Sequence, residues 1–272
     1  MNAGRPGMLA LGALIFGYAF LYGPIAVLIA YSFNDSRLVT VWGGLSLRWY
    51  GELFHSERMI EAAWLSLRIA AASATAAVAL GTAAAFALVR FGRFRGRSLF
   101  SAMLLAPLVI PEVITGLSLL LLFVWLESLV GWPPGRGATT IGIAHVTIGV
   151  SYAAVVVRAR LLRLDPDLDA AAADLGARPF AAFRQVTLPL LAPALGAGWL
   201  LAFTLSLDDL VVASFVTGPG ASTLPIVVFS SVRLGVTPEV NALASLLVAF
   251  VAIAVGGSAW MMHRRERRRL PG

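Results

Sequence analysis

The chain has 272 residues, 59% of them hydrophobic and only 13% charged, with a formal net charge of +7. A soluble domain carries about a quarter of its residues charged, so this composition points to a membrane protein. All 21 basic residues are arginine and cysteine is absent; that excludes a Walker A phosphate loop, a Schiff-base lysine, disulfides and thiolate metal sites.

Crossing a hydrocarbon core of about 30 Å takes roughly 20 apolar residues in helix. Six blocks meet that length and predict an all-α integral membrane protein of one domain, 1–272. The first runs from Leu9 to Tyr31 behind Arg5. It exceeds a signal-peptide core, and Tyr31-Ser32-Phe33-Asn34 is a poor cleavage site, so it reads as an uncleaved span. Trp42, Trp49 and Tyr50 follow in an outer loop, where aromatic faces could offer cation–π contacts. The second block, Leu65 to Val89, holds small residues from Ala70 to Ala77 and Gly81, a pattern for close helix packing.

The third block, Leu99 to Leu126, contains Pro107, Pro111 and Glu112. On a straight helix Glu112 would lie about 20 Å into the span. The prolines free carbonyls four residues earlier and favour a break beside a cavity. Ile141 to Val157 forms the fourth block, and the lone His145 near its start reads as a packing or hydrogen-bonding residue rather than a ligand.

Next comes the polar stretch DPDLDAAAADLGARPFAAFRQVTLPLLAP, from Asp165 to Pro193. Its alanines favour helix, and Asp165, Asp167 and Asp169 suit a helix N-terminus. Gly176 fits the left-handed position after a helix, and Pro179 the first residue of another. Two short helices with a sharp turn are therefore predicted. The fifth block runs from near Leu190 past Leu207 and carries Asp208 and Asp209 about 27 Å along. Ionisable groups at that depth face a bundle interior or an aqueous cavity. Neighbouring residues of a helix point about 100° apart, so one aspartate is expected on a path and the other on a cap, an arginine or a second subunit. Internal pairing of these acids that only fixes helix packing, or capping of a helix end by Asp208-Asp209, is the competing reading. Gly218-Pro219-Gly220 marks a turn, Leu224-Pro225 opens a short helix ending near Arg233, and the sixth block covers Leu243 to Met262.

The arginines collect at block ends, not in a stripe with aromatics, which argues against a nucleic-acid partner. On one side fall Arg5, Arg90, Arg93, Arg95, Arg97, Arg158, Arg160, Arg163, Arg178, Arg184, Arg264, Arg265, Arg267, Arg268 and Arg269. The other keeps Arg37, Arg48, Arg58, Arg68, Arg136 and Arg233. The positive-inside rule then places both termini in the cytoplasm, with the Arg264–Arg269 cluster at anionic lipid headgroups.

The stretch after the fourth block resembles the EAA loop of bacterial ABC importer permeases, whose pattern is Glu-Ala-Ala, three residues, Gly, nine residues, Ile, one residue, Leu-Pro. Ala170-Ala171-Ala172, Gly176, Val186 and Leu188-Pro189 hold every spacing, with Ala170 in place of the glutamate and Asp169 just before it. Further segments, SLDDLVVASFVTGPGASTLP, VRLGVTPEVNALASLL and APLVIPEVITGLSLLLLF among them, resemble the polyamine-importer permeases, most of all the putrescine type, over essentially the whole chain.

The resemblance implies a type I (MetI-like) importer permease in a bacterial inner membrane. It implies a heterodimer with a related permease, two ATPase subunits that hold the ATP and magnesium, and a periplasmic polyamine-binding protein. This chain would bind no cofactor and catalyse no reaction. Asp169, Ala170, Ala171, Ala172, Gly176, Leu188 and Pro189, within a coupling loop over 165–189, would dock on an ATPase. Glu112, Asp208 and Asp209, with Trp49 and Tyr50, would lie on the path of putrescine, spermidine or another organic cation. A proton-coupled secondary transporter could also use buried carboxylates, but the coupling-loop pattern argues against it. An intramembrane enzyme would need a nucleophile–base or metal constellation, and no such motif is present.

Overall fold

The structure, a computed structural model, describes residues 8–38, 41–165, 167–234 and 238–267, and the side chains among them except at 169, 170, 234 and 254–267. Arg5, Arg268 and Arg269 of the orientation pattern, and the side chains of Asp169 and Ala170, thus lie outside the described residues. The chain forms twelve described helices and divides into two compact units, one built from 1–60 with 228–272, the other from Glu61 to Val227.

In the first unit α1 (Met8–Tyr31) is apolar all round and buries none of its residues, a surface suited to lipid. It packs on α12 (Pro238–Arg267), as does α2 (Arg48–His55). The intervening loop is organised by Asn34, which is 1% exposed. Its amide donates to Val41 O at 2.7 Å and accepts from Gly43 N at 2.7 Å.

The second unit is built around α6 (Ala138–Leu161), which packs along α9 (Leu188–Asp208) and beside α4 (Arg97–Val109). Fully buried Ala70, Ala74, Ala77 and Ala85 line α3 (Glu57–Arg90). Small residues let backbones approach closely, which is the close packing expected of span two. A Cβ added at Gly81 would stand 2.9 Å from both the Ala153 Cβ and the Ala154 nitrogen of α6. Larger side chains fill the two ends of this seam, with Ile141, Val212 and Val216 at one and Val157, Leu161 and Leu191 at the other.

Five described helices are long and apolar enough to cross a membrane: Met8–Tyr31, Glu57–Arg90, Glu112–Val130, Ala138–Leu161 and Pro179–Asp208. The sixth expected span falls on α12, whose described apolar part, Pro238–Ile253, is shorter. The helix of span two begins at Glu57, well before Leu65, because the charged Glu57, Arg58 and Glu61 in its first two turns interrupt the apolar run without ending the helix. Span three is not one helix. Pro111 cannot donate and holds Ile110 extended (φ −74°, ψ 132°), so α4 stops at Val109 and α5 (Glu112–Val130) starts afresh. Thirteen residues reach only about 20 Å, so α4 alone does not cross.

The loop after α6 contains the predicted turn. Helix α7 (Asp167–Asp174) ends at Gly176, whose φ is +83°. Gly176 N donates to Ala173 O at 2.8 Å and Ala177 N to Ala172 O at 3.0 Å, the paired bonds of a Schellman cap. Pro179 opens α8 (Pro179–Ala182), as expected. That second helix is not short, however. A π-helical turn over Phe183–Thr187 carries it into α9, so the chain from Pro179 to Asp208 is one run of 30 helical residues.

Candidate functional site

Three features of the backbone bring the carboxylates together in the second unit. Pro111 breaks a helix, which makes Glu112 the first residue of α5 rather than a residue inside a span. Helix α9 ends at Asp208, and Asp209 is extended (φ −66°, ψ 119°) before α10 (Val211–Val216). The two aspartates therefore do not share one helix, because α9 stops between them, but Asp209 does stand at a cap, as one of the pair was expected to. Finally, α6 presents His145, Gly149 and Tyr152 on one face by their i, i+4, i+7 spacing.

The result is a cavity of about 250 Å³ whose walls include Glu112, Asp208, Asp209, His145, Tyr152 and Ser206. The three carboxylates have different surroundings. Asp209 accepts the N–H of Val212 at 3.3 Å and of Ala213 at 2.7 Å, which makes it the side-chain cap of α10. A third hydrogen bond joins it to His145 Nε2 at 3.1 Å. The opposite ring nitrogen meets Ser206 Oγ at 2.6 Å, and Ser206 accepts from Ser73 Oγ at 3.2 Å. Among the described residues no cation stands within ion-pair distance of Glu112 or Asp208. The cavity thus holds two unpaired carboxylates beside one that is tied down, a fit for a small cation rather than an anion.

Trp49 and Tyr50 belong to the first unit. Trp49 is 3% exposed, its indole N–H donates to Asn34 O at 2.6 Å, and the Arg48 guanidinium lies over its ring at 5.1 Å. The Tyr50 hydroxyl is 2.7 Å from Ser32 Oγ. Both aromatics tie the loop between α1 and α2 to itself. No group of three or more His, Asp or Glu capable of holding a metal occurs among the described residues.

Around the Gly176 turn, Ala172 is buried while Leu175 and Phe180 are 90% and 73% exposed. Sequence reasoning named the small residues of this loop and passed over these two apolar ones. His145 is the hydrogen-bonding residue it was read as, but neither it nor Ser206 was placed at the cavity, since a lone histidine and a serine inside apolar blocks carry no spacing of their own.

Residues 77–268 match the sequence pattern of the family described as binding-protein-dependent transport system inner membrane component. The chain belongs to that family. Relatives of this inner-membrane component include the putrescine transport system permease protein PotI of Escherichia coli strain K12, 59% identical over 94% of this chain and 92% of that one. The spermidine/putrescine transport system permease protein PotC of the same strain is 42% identical over 88% of each chain. In fold, the permease resembles a crystal structure of a bacterial ABC transporter that imports the acidic polysaccharide alginate, at 18% identity, 94% coverage of both chains and a TM-score of 0.70. An amino acid ABC transporter crystallised with histidines gives a TM-score of 0.54 over 81% of this chain and 100% of that one.

Proposed function

We propose that this permease is a transmembrane subunit of an ATP-driven importer that carries a polyamine, putrescine by preference, across a bacterial inner membrane. The observation that carries this reading is the pair of unpaired carboxylates, Glu112 and Asp208, facing one small cavity. A cavity of about 250 Å³ falls below the roughly 300–1,000 Å³ of drug-sized sites and suits a short diamine. The 59% identity to a putrescine permease supports the same cargo.

The remaining parts of the reading follow the family. Both units, 1–272, act as one permease domain with six spans and both termini in the cytoplasm. A related permease completes the path, a periplasmic polyamine-binding protein delivers the cargo, and two ATPase subunits hold ATP and magnesium. Asp169, Ala170, Ala171, Ala172, Gly176, Leu188 and Pro189 form the surface that docks on an ATPase, with Leu175 and Phe180 as its exposed apolar contacts. Trp49 and Tyr50 shape the outer mouth. Nucleotide-driven movement of the coupling turn changes which side of the cavity is open, and the carboxylates replace water around the cargo's ammonium groups meanwhile.

The test is uptake of labelled putrescine by vesicles holding the reconstituted complex, with binding protein outside and ATP inside. Uptake that needs ATP and is competed by unlabelled putrescine supports the proposal. Uptake that proceeds without ATP overturns the importer class; ATP-dependent uptake of another cation only overturns the cargo.

A further inference from the structure

His145 is 3% exposed, lies against the carboxylate cavity and has no part in the cargo path set out above. Its hydrogen bonds run in one direction. An ionised carboxylate can only accept, so the proton between His145 and Asp209 sits on Nε2. In the neutral ring Nδ1 then accepts, and the donor is the Ser206 hydroxyl at 2.6 Å. Ser73 Oγ lies 3.2 Å from Ser206 Oγ and shares its single proton between Ser206 and Ala70 O, also at 3.2 Å, so the directed part of the relay runs from Ser206 through His145 to Asp209. With the amides of Val212 and Ala213, three donors converge on that one carboxylate. None of the described cations reaches the other two.

We propose that His145 is a positioning residue that sets cargo valence: by donating to Asp209 it withdraws one of three cavity carboxylates and leaves two, the number a diamine satisfies. The inference rests on the polyamine reading. Loss of the donor leaves Asp209 on the two backbone amides alone and returns part of a third anion to the cavity, to which a triamine responds more than a diamine. The other titratable groups facing His145 across the cavity are Glu112, Asp208 and the Tyr152 phenol, and none of them is within hydrogen-bond reach of the ring.

Uptake of putrescine and of spermidine is measured in the full reconstituted complex, with His145→Leu, His145→Gln and Ser206→Ala beside the parent. The same binding protein serves all four, so its own preference cancels from the comparison. In His145→Leu the spermidine-to-putrescine ratio of Vmax/KM rises about tenfold, chiefly through KM, the lower end of what a hydrogen bond to a charged group contributes. His145→Gln places an amide N–H near the position of Nε2 and holds the ratio within about twofold of the parent. An unmoved ratio in His145→Leu overturns the inference, and so do Leu and Gln variants that shift alike. If His145→Leu does not assemble, Ser206→Ala decides: it frees Nδ1, lets the ring turn from Asp209 and raises the ratio, or leaves it unchanged and overturns the inference. A parent that moves neither polyamine overturns the polyamine reading instead.

Discussion

Single side chains divide at this site into those that hold the fold and those left available. Asp209 is bound by two backbone amides and an imidazole, whereas Glu112 and Asp208 have no cationic partner among the described residues. Glu112→Gln and Asp208→Asn should therefore each raise the putrescine KM by about tenfold, roughly 1.4 kcal/mol, with assembly and thermal stability unchanged. Asp209→Ala should instead lower the melting temperature of the purified complex, because losing a helix cap costs about 1 kcal/mol. Carboxylates were legible in the sequence because charge inside an apolar block is rare enough to stand out. His145 and Ser206 were not, since each becomes informative only when α6 and α9 lie side by side. Trp49 and Tyr50 read as available aromatic faces, but hydrogen bonds to Asn34 and Ser32 use their polar ends locally.

Among elements, the Gly176 turn and the α3–α6 seam depend on the absence of a side chain. At φ +83° any other residue is strained, so Gly176→Ala should cost about 1 kcal/mol locally and cut ATP-dependent uptake while the spans stay folded. Leu175→Ser and Phe180→Ser should leave stability untouched and reduce co-purification of the ATPase subunits. Gly81→Val meets the α6 backbone at contact distance, and overpacking of this kind costs about 1–3 kcal/mol, readable as a lower melting temperature. The turn was predictable because Gly176 and Pro179 act on their own backbone. Pro111 likewise announced a break. The stop between Asp208 and Asp209 has neither glycine nor proline; there Asp209 turns to cap α10, a role the sequence offered to one of the two aspartates, and meets His145, a contact that no local pattern encodes. The polar start of α3 was missed for a related reason: Glu57, Arg58 and Glu61 end an apolar block without ending a helix.

For the whole molecule, the asymmetric arginines predict both ends in the cytoplasm. A fluorescent protein fused to the C-terminus should fluoresce, and alkaline phosphatase fused there should be inactive; the reverse pair would invert the topology. Helix count was legible from hydropathy where blocks were uninterrupted and misleading where one block, Leu99 to Leu126, concealed two helices. The run from Pro179 to Asp208 has a mechanical consequence. Thirty helical residues reach about 45 Å and behave as a rod, with one end beside the Gly176 turn and the other in the cavity wall. Beyond that rod, at Asp209 and again at Ile110–Pro111, the backbone has already left the helical ladder. If the importer reading holds, a push at the near end would travel along this helical run while the interrupted walls flex, and the chamber would change shape without melting a single turn.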